Sequence, residues 1–227
     1  DVRLMLFISH TITFIVPAII YLIVTKQSPK DVLKLNKLYF KDALLIILLA
    51  FVCQPIMTFF SLISQFFFEN EIGNFMTEIV NSPYIILLLL VAVLPAITEE
   101  ITIRGVVLSG YKNKNIYLSS MITGLLFGIM HLNFIRIVPT AILGILFAYC
   151  ALATKSIWTS VFMHFLNNGF SVCALYITQK YLHIAIDTNV TYTMPPISSI
   201  LVTVLIGVGF IYLGSLCFRD KKGNFSD

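Results

Sequence analysis

Charged residues are scarce in this chain. Only 11% of its 227 residues are Asp, Glu, Lys or Arg, whereas 58% are hydrophobic. Soluble domains typically carry about 25% charged residues, so this composition excludes a soluble globular protein and predicts a polytopic membrane protein. The formal net charge of +4 is modest, and the basic residues fall in short loops. That pattern is typical of membrane topology and of contact with anionic lipid, and it excludes nucleic acid as the expected partner.

Linkers, repeats and cysteine motifs are missing as well. No Gly-, Ser- or Pro-rich segment divides the chain, and no internal repeat is visible, so we expect residues 1–227 to form a single transmembrane domain. The 4 cysteines lie in apolar stretches without CxxC spacing, which indicates reduced packing residues. The first apolar run has no small-residue cleavage site and therefore predicts a membrane anchor.

Seven apolar stretches are long enough to cross a bilayer as helices. They cover residues 4–25, 43–68, 84–110, 116–135, 137–154, 156–178 and 197–217. The predicted fold class is therefore all-α, a polytopic transmembrane helical bundle of about seven spans.

The segments between these stretches alternate in charge. Segment 26–42 holds five lysines and two aspartates, whereas segment 69–83 holds three glutamates and no basic residue. The turn at 111–115, Lys155 and the C-terminal tail are basic again. The positive-inside rule places the basic segments and the C-terminus in the cytoplasm, and the short loops fit a bacterial plasma membrane. Segment 26–42 is mildly amphipathic, and both a membrane-surface segment and a solvated loop fit its pattern.

Three charged side chains interrupt the third apolar stretch: Glu99, Glu100 and Arg104. A charge at the bilayer centre costs about 2.5–3.5 kcal/mol on insertion scales, so this group predicts a function. Glu100 and Arg104 are four residues apart and share a helix face, where they can neutralise each other. Glu99 is turned about 100° away and has no charged partner in its own helix. We therefore predict that Glu99 is a general base and that Glu100 and Arg104 form a structural pair.

Two further stretches add histidines to this group. His131 follows Phe127 by four residues, and His164 precedes Asn168 by four. A glutamate beside a histidine can hold and polarise a water molecule, and a second histidine with an amide can stabilise developing oxyanion charge. This is the equipment for hydrolysing an amide bond inside a membrane. His10, near the outer end of the first stretch, has no patterned neighbour and is expected to make a local hydrogen bond.

Other chemistries fit these residues less well. Glu99, His131 and His164 also match a zinc ligand set with an open position. The HExxH pair that commonly places two ligands on one helix is absent, so we expect no metal cofactor. The central spans contain no Asp, which excludes an aspartyl protease. Ser109-Gly110 lacks the glycine expected two residues before the nucleophile of a serine intramembrane protease.

Three motifs in order carry a family resemblance: Glu99-Glu100-x-x-x-Arg104, Phe127-x-x-x-His131 and His164-x-x-x-Asn168. They resemble those of the CPBP family, the CAAX proteases and bacteriocin-processing enzymes also called the Abi family. The resemblance covers residues 84–172, which we expect to be the catalytic core. It implies an intramembrane glutamate protease in which the first glutamate and the second-motif histidine activate water. It also implies that the third-motif histidine and asparagine form the oxyanion site, in a cavity opening toward the cytoplasmic side.

Two classes of function follow from this pattern. The first is an intramembrane endopeptidase of the CAAX or bacteriocin- and peptide-processing type, whose partner is a membrane-associated peptide or protein. The alternative is a non-catalytic membrane protein, either a bacteriocin-immunity factor or a scaffold of the same family. A proton-coupled transporter would require inverted repeats or paired broken helices, for which only Pro95 and Pro139 are candidate breaks. The sequence does not indicate an oligomeric state.

Overall fold

The computed structural model describes residues 1–68, 79, 82–111, 113–181 and eight isolated positions between 198 and 212. Within the continuous ranges the chain forms a bundle of helices and no strand, which confirms the predicted all-α fold class. The helices, in chain order, are α1 (Val2–Thr25), α2 (Pro29–Leu33), α3 (Phe40–Phe67), α4 (Tyr84–Val107), α5 (Ile116–Met130), α6 (Phe134–Thr154) and α7 (Ile157–Lys180).

Five of these helices are long and apolar enough to cross a membrane: α1, α3, α4, α6 and α7. The predicted span 116–135 is instead the 15-residue helix α5. At 1.5 Å per residue, α5 is about 22 Å long, shorter than the hydrocarbon core of a typical bilayer. The predicted span 197–217 lies outside the continuously described residues.

The boundary between α5 and α6 differs from the prediction, which began the next span at residue 137. The helix ends at Met130, and Leu132 has a positive φ of 47°. Asn133 then caps α6, because its side-chain oxygen accepts a hydrogen bond from the Ile135 amide at 3.1 Å. The apolar sequence continues through this turn, so hydropathy alone misplaced the break.

Helix α4 is widened in two places, on both sides of its two glutamates. Leu89–Val93 and Ile101–Val107 are π-helical. Pro95 lacks an N–H, so the carbonyl of Val91, four residues earlier, cannot receive its usual helical hydrogen bond. Widened turns of this kind are frequent at functional sites.

The bundle is held together by two kinds of packing. Helices α3, α6 and α7 share a buried apolar core around Ile46, Phe147 and Met163. Helices α5 and α6 approach through glycines, because a side chain at Gly124 would overlap the backbone of Ile145. The close α5–α6 hairpin fixes where the end of α5 lies in the bundle.

The predicted basic segments come together at one end of the bundle, here called the lysine end and formed by residues 26–39, 108–115 and 155–156. The Asn36 side chain donates a hydrogen bond to the Lys155 carbonyl at 2.6 Å, and the Ser156 hydroxyl donates to the Asn36 carbonyl at 2.7 Å. Val32 on α2 is only 2% exposed. The region around α2 is therefore attached to the bundle through these contacts, while most of the other side chains of segment 26–42 are exposed.

The other end of the bundle, here called the far end, is formed by residues 1–3, 67–68, 82–84, 131–134 and 178–181. Phe68 stacks on Phe134 with ring centroids 5.0 Å apart, and the rings of Tyr84 and Tyr176 lie 5.1 Å apart. The first contact joins the end of α3 to the start of α6, and the second joins the start of α4 to α7. The two ends of the bundle thus separate the connecting segments as the charge alternation predicted.

Candidate active site

A cavity of about 550 Å³ lies between α1, α3, α4, α5, α6 and α7. The four residues predicted to be catalytic all line it: Glu99, His131, His164 and Asn168. They come from α4, the C-terminal cap of α5, and α7. The volume is in the range of ordinary ligand pockets. The helical bundle therefore brings the three sequence motifs to a single cavity.

The Glu100–Arg104 pair lies directly behind this cavity. Nη1 of Arg104 is 2.8 Å from Oε1 of Glu100, and both side chains have 0% exposure. Nη2 of Arg104 donates a hydrogen bond to the Gly144 carbonyl at 2.9 Å, and its guanidinium lies 4.3 Å from the centroid of the Phe127 ring. The ion pair predicted from the four-residue spacing is present, and it ties α4 to α5 and α6.

Glu100 has a second partner that the sequence did not indicate. Its Oε1 lies 2.9 Å from Nδ1 of His164. Because a carboxylate only accepts hydrogen bonds, Nδ1 of His164 carries the proton in this contact. Nε2 is then an acceptor in the neutral ring and a donor in the imidazolium form. The ring also stacks on Phe147 at a centroid distance of 5.3 Å, which fixes its plane. Glu100 therefore orients a residue of the cavity as well as neutralising Arg104.

Glu99 is 7% exposed and lines the cavity. Its Oε1 lies 3.8 Å from Nδ1 of His10, too far for a hydrogen bond. That nitrogen instead lies 3.4 Å from the Thr98 hydroxyl. The hydrogen-bond partner of His10 is therefore on α4, 88 residues away, and not a local one. His10 also lines the cavity beside Glu99. The sequence could not show this, because nothing in it aligns α1 against α4.

His131 is held by the last turn of α5. Its Nδ1 lies 2.8 Å from the Phe127 carbonyl, and its ring meets the Phe127 ring edge-on at 4.9 Å. A carbonyl can only accept, so Nδ1 is the donor and the neutral ring carries its lone pair on Nε2. His131 is thereby held in the tautomer whose Nε2 can accept a proton. The hydrogen bond at the α5 cap sets this orientation.

Asn168 is anchored by the interruption in α4. Its Nδ2 donates a hydrogen bond to the Val91 carbonyl at 3.0 Å. This is the carbonyl that Pro95 deprives of its helical donor. The neighbouring Asn167 accepts a hydrogen bond from Gln54 of α3 at 3.0 Å, and Gln54 also lines the cavity. Gln54 is a polar cavity residue that the motifs do not include. The one signal that could have found it is an uncharged amide inside a long apolar stretch.

Within the described part of the chain, no group of three His, Cys, Asp or Glu side chains is placed to hold a metal ion. Those residues therefore contain no set of three ligands of the kind that the zinc alternative requires.

Two comparisons with known proteins match parts of the chain that form this cavity. Residues 81–170 match the family described as Type II CAAX prenyl endopeptidase Rce1-like. The chain is also 25% identical over 171 residues to a Bacillus subtilis (strain 168) protein named "Putative membrane peptidase YdiL", covering 71% of this chain and 68% of that protein. No solved structure matches the chain. The matched segment contains all three motifs, and both matches support the resemblance to the CPBP family that these motifs carry.

Proposed function

We propose that this protein is an intramembrane endopeptidase that hydrolyses a peptide bond with an activated water molecule. Its substrate would be a membrane-associated peptide or protein, of the CAAX type or a peptide precursor such as a bacteriocin, in a bacterial plasma membrane. The observation that carries the proposal is that Glu99, His131, His164 and Asn168 line one cavity within the helical bundle.

Glu99 and His131 are assigned to the water. Glu99 is a buried carboxylate whose charge is not neutralised by an arginine at hydrogen-bonding distance, unlike Glu100. His131 offers Nε2 as a proton acceptor because Nδ1 is bonded to the Phe127 carbonyl. In the proposed reaction the water oxygen attacks the substrate carbonyl carbon and its proton passes to this pair. The same proton is then delivered to the departing amine as the C–N bond breaks.

His164 and Asn168 are assigned to the oxyanion that forms when the water attacks. Asn168 has two amide N–H groups, and the Val91 carbonyl accepts a hydrogen bond from that amide. The other N–H group is then assigned to the substrate oxygen. Nε2 of His164 can donate to the substrate oxygen when the ring is an imidazolium, because both ring nitrogens then carry a proton. Preorganised donors of this kind lower the barrier because they already point to where the charge develops.

The test uses purified protein in bilayers and a panel of quenched fluorescent membrane peptides. Wild type should cleave a member of the panel, and Glu99→Gln should not. Asp31→Asn is the matched control, because it makes the same carboxylate-to-amide change at an exposed position on α2. Equal cleavage by wild type and Glu99→Gln would contradict the assigned role of Glu99.

A zinc chelator added to the same assay tests the metal alternative. Cleavage that is unaffected by the chelator supports direct activation of water by Glu99 and His131. Cleavage that is lost with the chelator and restored by zinc would make these residues metal ligands. A protein that binds the peptides without cutting them would instead support the non-catalytic immunity or scaffold alternative.

A further inference from the structure

The cavity occupies only one half of the bundle. Along α3 it is lined by residues between positions 54 and 65, and along α6 by residues between 135 and 147. On α4 and α7 the lining lies within 87–99 and 164–175. Each of these ranges lies toward the far end of its helix. The α1 residues that line it, Leu6 and His10, also lie toward that end.

The lysine end carries nearly all the basic residues of the described connecting segments. Segment 26–42 holds five lysines against two aspartates, the 111–115 turn adds two lysines, and Lys155 adds one. Between Phe68 and Tyr84, which both lie at the far end, the sequence has three glutamates and no lysine or arginine. Arg3, Arg136 and Lys180 are the basic residues of the described chain at that end, and Arg3 is paired with Asp1 at 2.8 Å. The lysine end is therefore much more positive than the far end.

Short loops rich in lysine and arginine stay on the cytoplasmic side of a membrane. Applied to this bundle, the rule puts the lysine end in the cytoplasm and the far end outside. We propose that the cavity opens on the non-cytoplasmic side of the membrane. This orientation is opposite to the cytoplasmic opening that the family resemblance implies.

The orientation also names a class of substrate, and in this respect it rests on the proposed function. A cavity that opens outward receives peptide segments that have been exported or that emerge from the membrane on its outer face. It does not receive the C-terminal tails of cytosolic proteins. The substrate class is therefore an exported or outer-face juxtamembrane peptide. This narrows the substrates proposed above to peptide precursors and leaves out the prenylated cytosolic tails of the CAAX type.

Cysteine labelling with a membrane-impermeant maleimide tests the orientation in a bacterial cell. Ser171→Cys lines the cavity, and Tyr181→Cys lies at the far end, where the native tyrosine is 69% exposed. Gln27→Cys and Asn113→Cys are the matched positions at the lysine end, both exposed. None of these four changes alters a lysine or arginine. The unmodified protein gives the background from the native cysteines, and labelling after denaturation in detergent shows that each new thiol is reactive.

In cells whose plasma membrane is intact and whose outer envelope has been made permeable to the reagent, Ser171→Cys and Tyr181→Cys should be labelled several-fold above background. Gln27→Cys and Asn113→Cys should stay at background. In inside-out vesicles the two pairs should exchange. The reverse pattern would overturn the proposal, and so would labelling of all four positions from one side. Because labelling needs no catalysis, this result is independent of whether a cleaved peptide has been found. Failure of the orientation can therefore be told apart from failure of the protease function.

Discussion

Replacing Arg104 tests how the buried charges hold the site together. Both side chains of the Glu100–Arg104 pair have 0% exposure, and the guanidinium also donates to the Gly144 carbonyl. Removing one partner of a buried ion pair costs about 3–5 kcal/mol, because the other charge is left without compensation. Arg104→Met keeps most of the apolar volume and removes the charge. It should therefore lower the folding equilibrium constant by about two to four powers of ten.

The same chain offers a matched control for this change. Arg3 and Asp1 are also 2.8 Å apart, but their side chains are 46% and 49% exposed. An exposed pair contributes only about 0–1 kcal/mol, so Arg3→Met should leave stability nearly unchanged. Adding Glu100→Gln to Arg104→Met should recover part of the loss, because the carboxylate that lacked a partner is then replaced by a neutral amide.

The assay is reversible unfolding in mixed micelles, followed by the fluorescence of Trp158, with the folded yield as a second readout. Activity is measured on the same samples. An Arg104→Met protein as stable as Arg3→Met would refute the structural role of the pair. If that stable variant were also inactive, Arg104 would have to act in catalysis instead.

Three further predictions concern other contacts. Asn168→Ala should lower stability by about 1–3 kcal/mol because it removes the hydrogen bond to the Val91 carbonyl. Adding Pro95→Ala, which supplies an N–H four residues after Val91, should recover stability but not cleavage in the same assay. Gly124→Ala should cost about 1–3 kcal/mol of unfolding free energy by separating α5 from α6, whereas Gly169→Ala, where an added Cβ meets nothing within 4 Å, should not. Burial lowers the pKa of Lys34 below its ordinary value of 10.5. The charge of Lys34 then opposes folding at neutral pH, and the free energy of unfolding rises as the pH is increased toward 10.5. Lys34→Met should raise the thermal midpoint at pH 7 and flatten that rise.

Residue spacing predicted the parts of the site that lie within one helix. The Glu100–Arg104 pair follows from four-residue periodicity, and the separation of Glu99 from that pair follows from the same geometry. The apolar runs predicted most of the helices for an equally local reason, because each crossing must be apolar along its whole length.

Contacts between helices could not be predicted in this way. The hydrogen bond from His164 to Glu100 joins residues 64 positions apart, and that from Asn168 to Val91 joins residues 77 apart. His10 stands beside Glu99 because α1 packs on α4. Hydropathy carries no information on which faces meet. A single sequence therefore indicated which residues are chemically unusual, but not how Glu100 and Pro95 orient them.

The α5–α6 turn and the α2 region show a second limit. The turn at residues 131–133 is set by a positive φ and by the Asn133 cap, both inside a continuous apolar stretch. The α2 region is held by hydrogen bonds between backbone and polar side chains of Asn36 and Ser156. Neither arrangement depends on an average property of the sequence, so neither could be read from composition or periodicity.

Measuring binding and cleavage of the same peptide tests whether the residues of this cavity hydrolyse the peptide that the cavity binds. A single membrane peptide is assayed for binding and for cleavage by wild type, Glu99→Gln and Asp31→Asn in the same bilayers. We expect all three proteins to bind the peptide with similar affinity. The cleavage rate of Glu99→Gln alone should fall by about 10²–10⁴-fold, the contribution of a general base. Equal binding by all three with no cleavage by wild type, or undiminished cleavage by Glu99→Gln, would contradict this expectation.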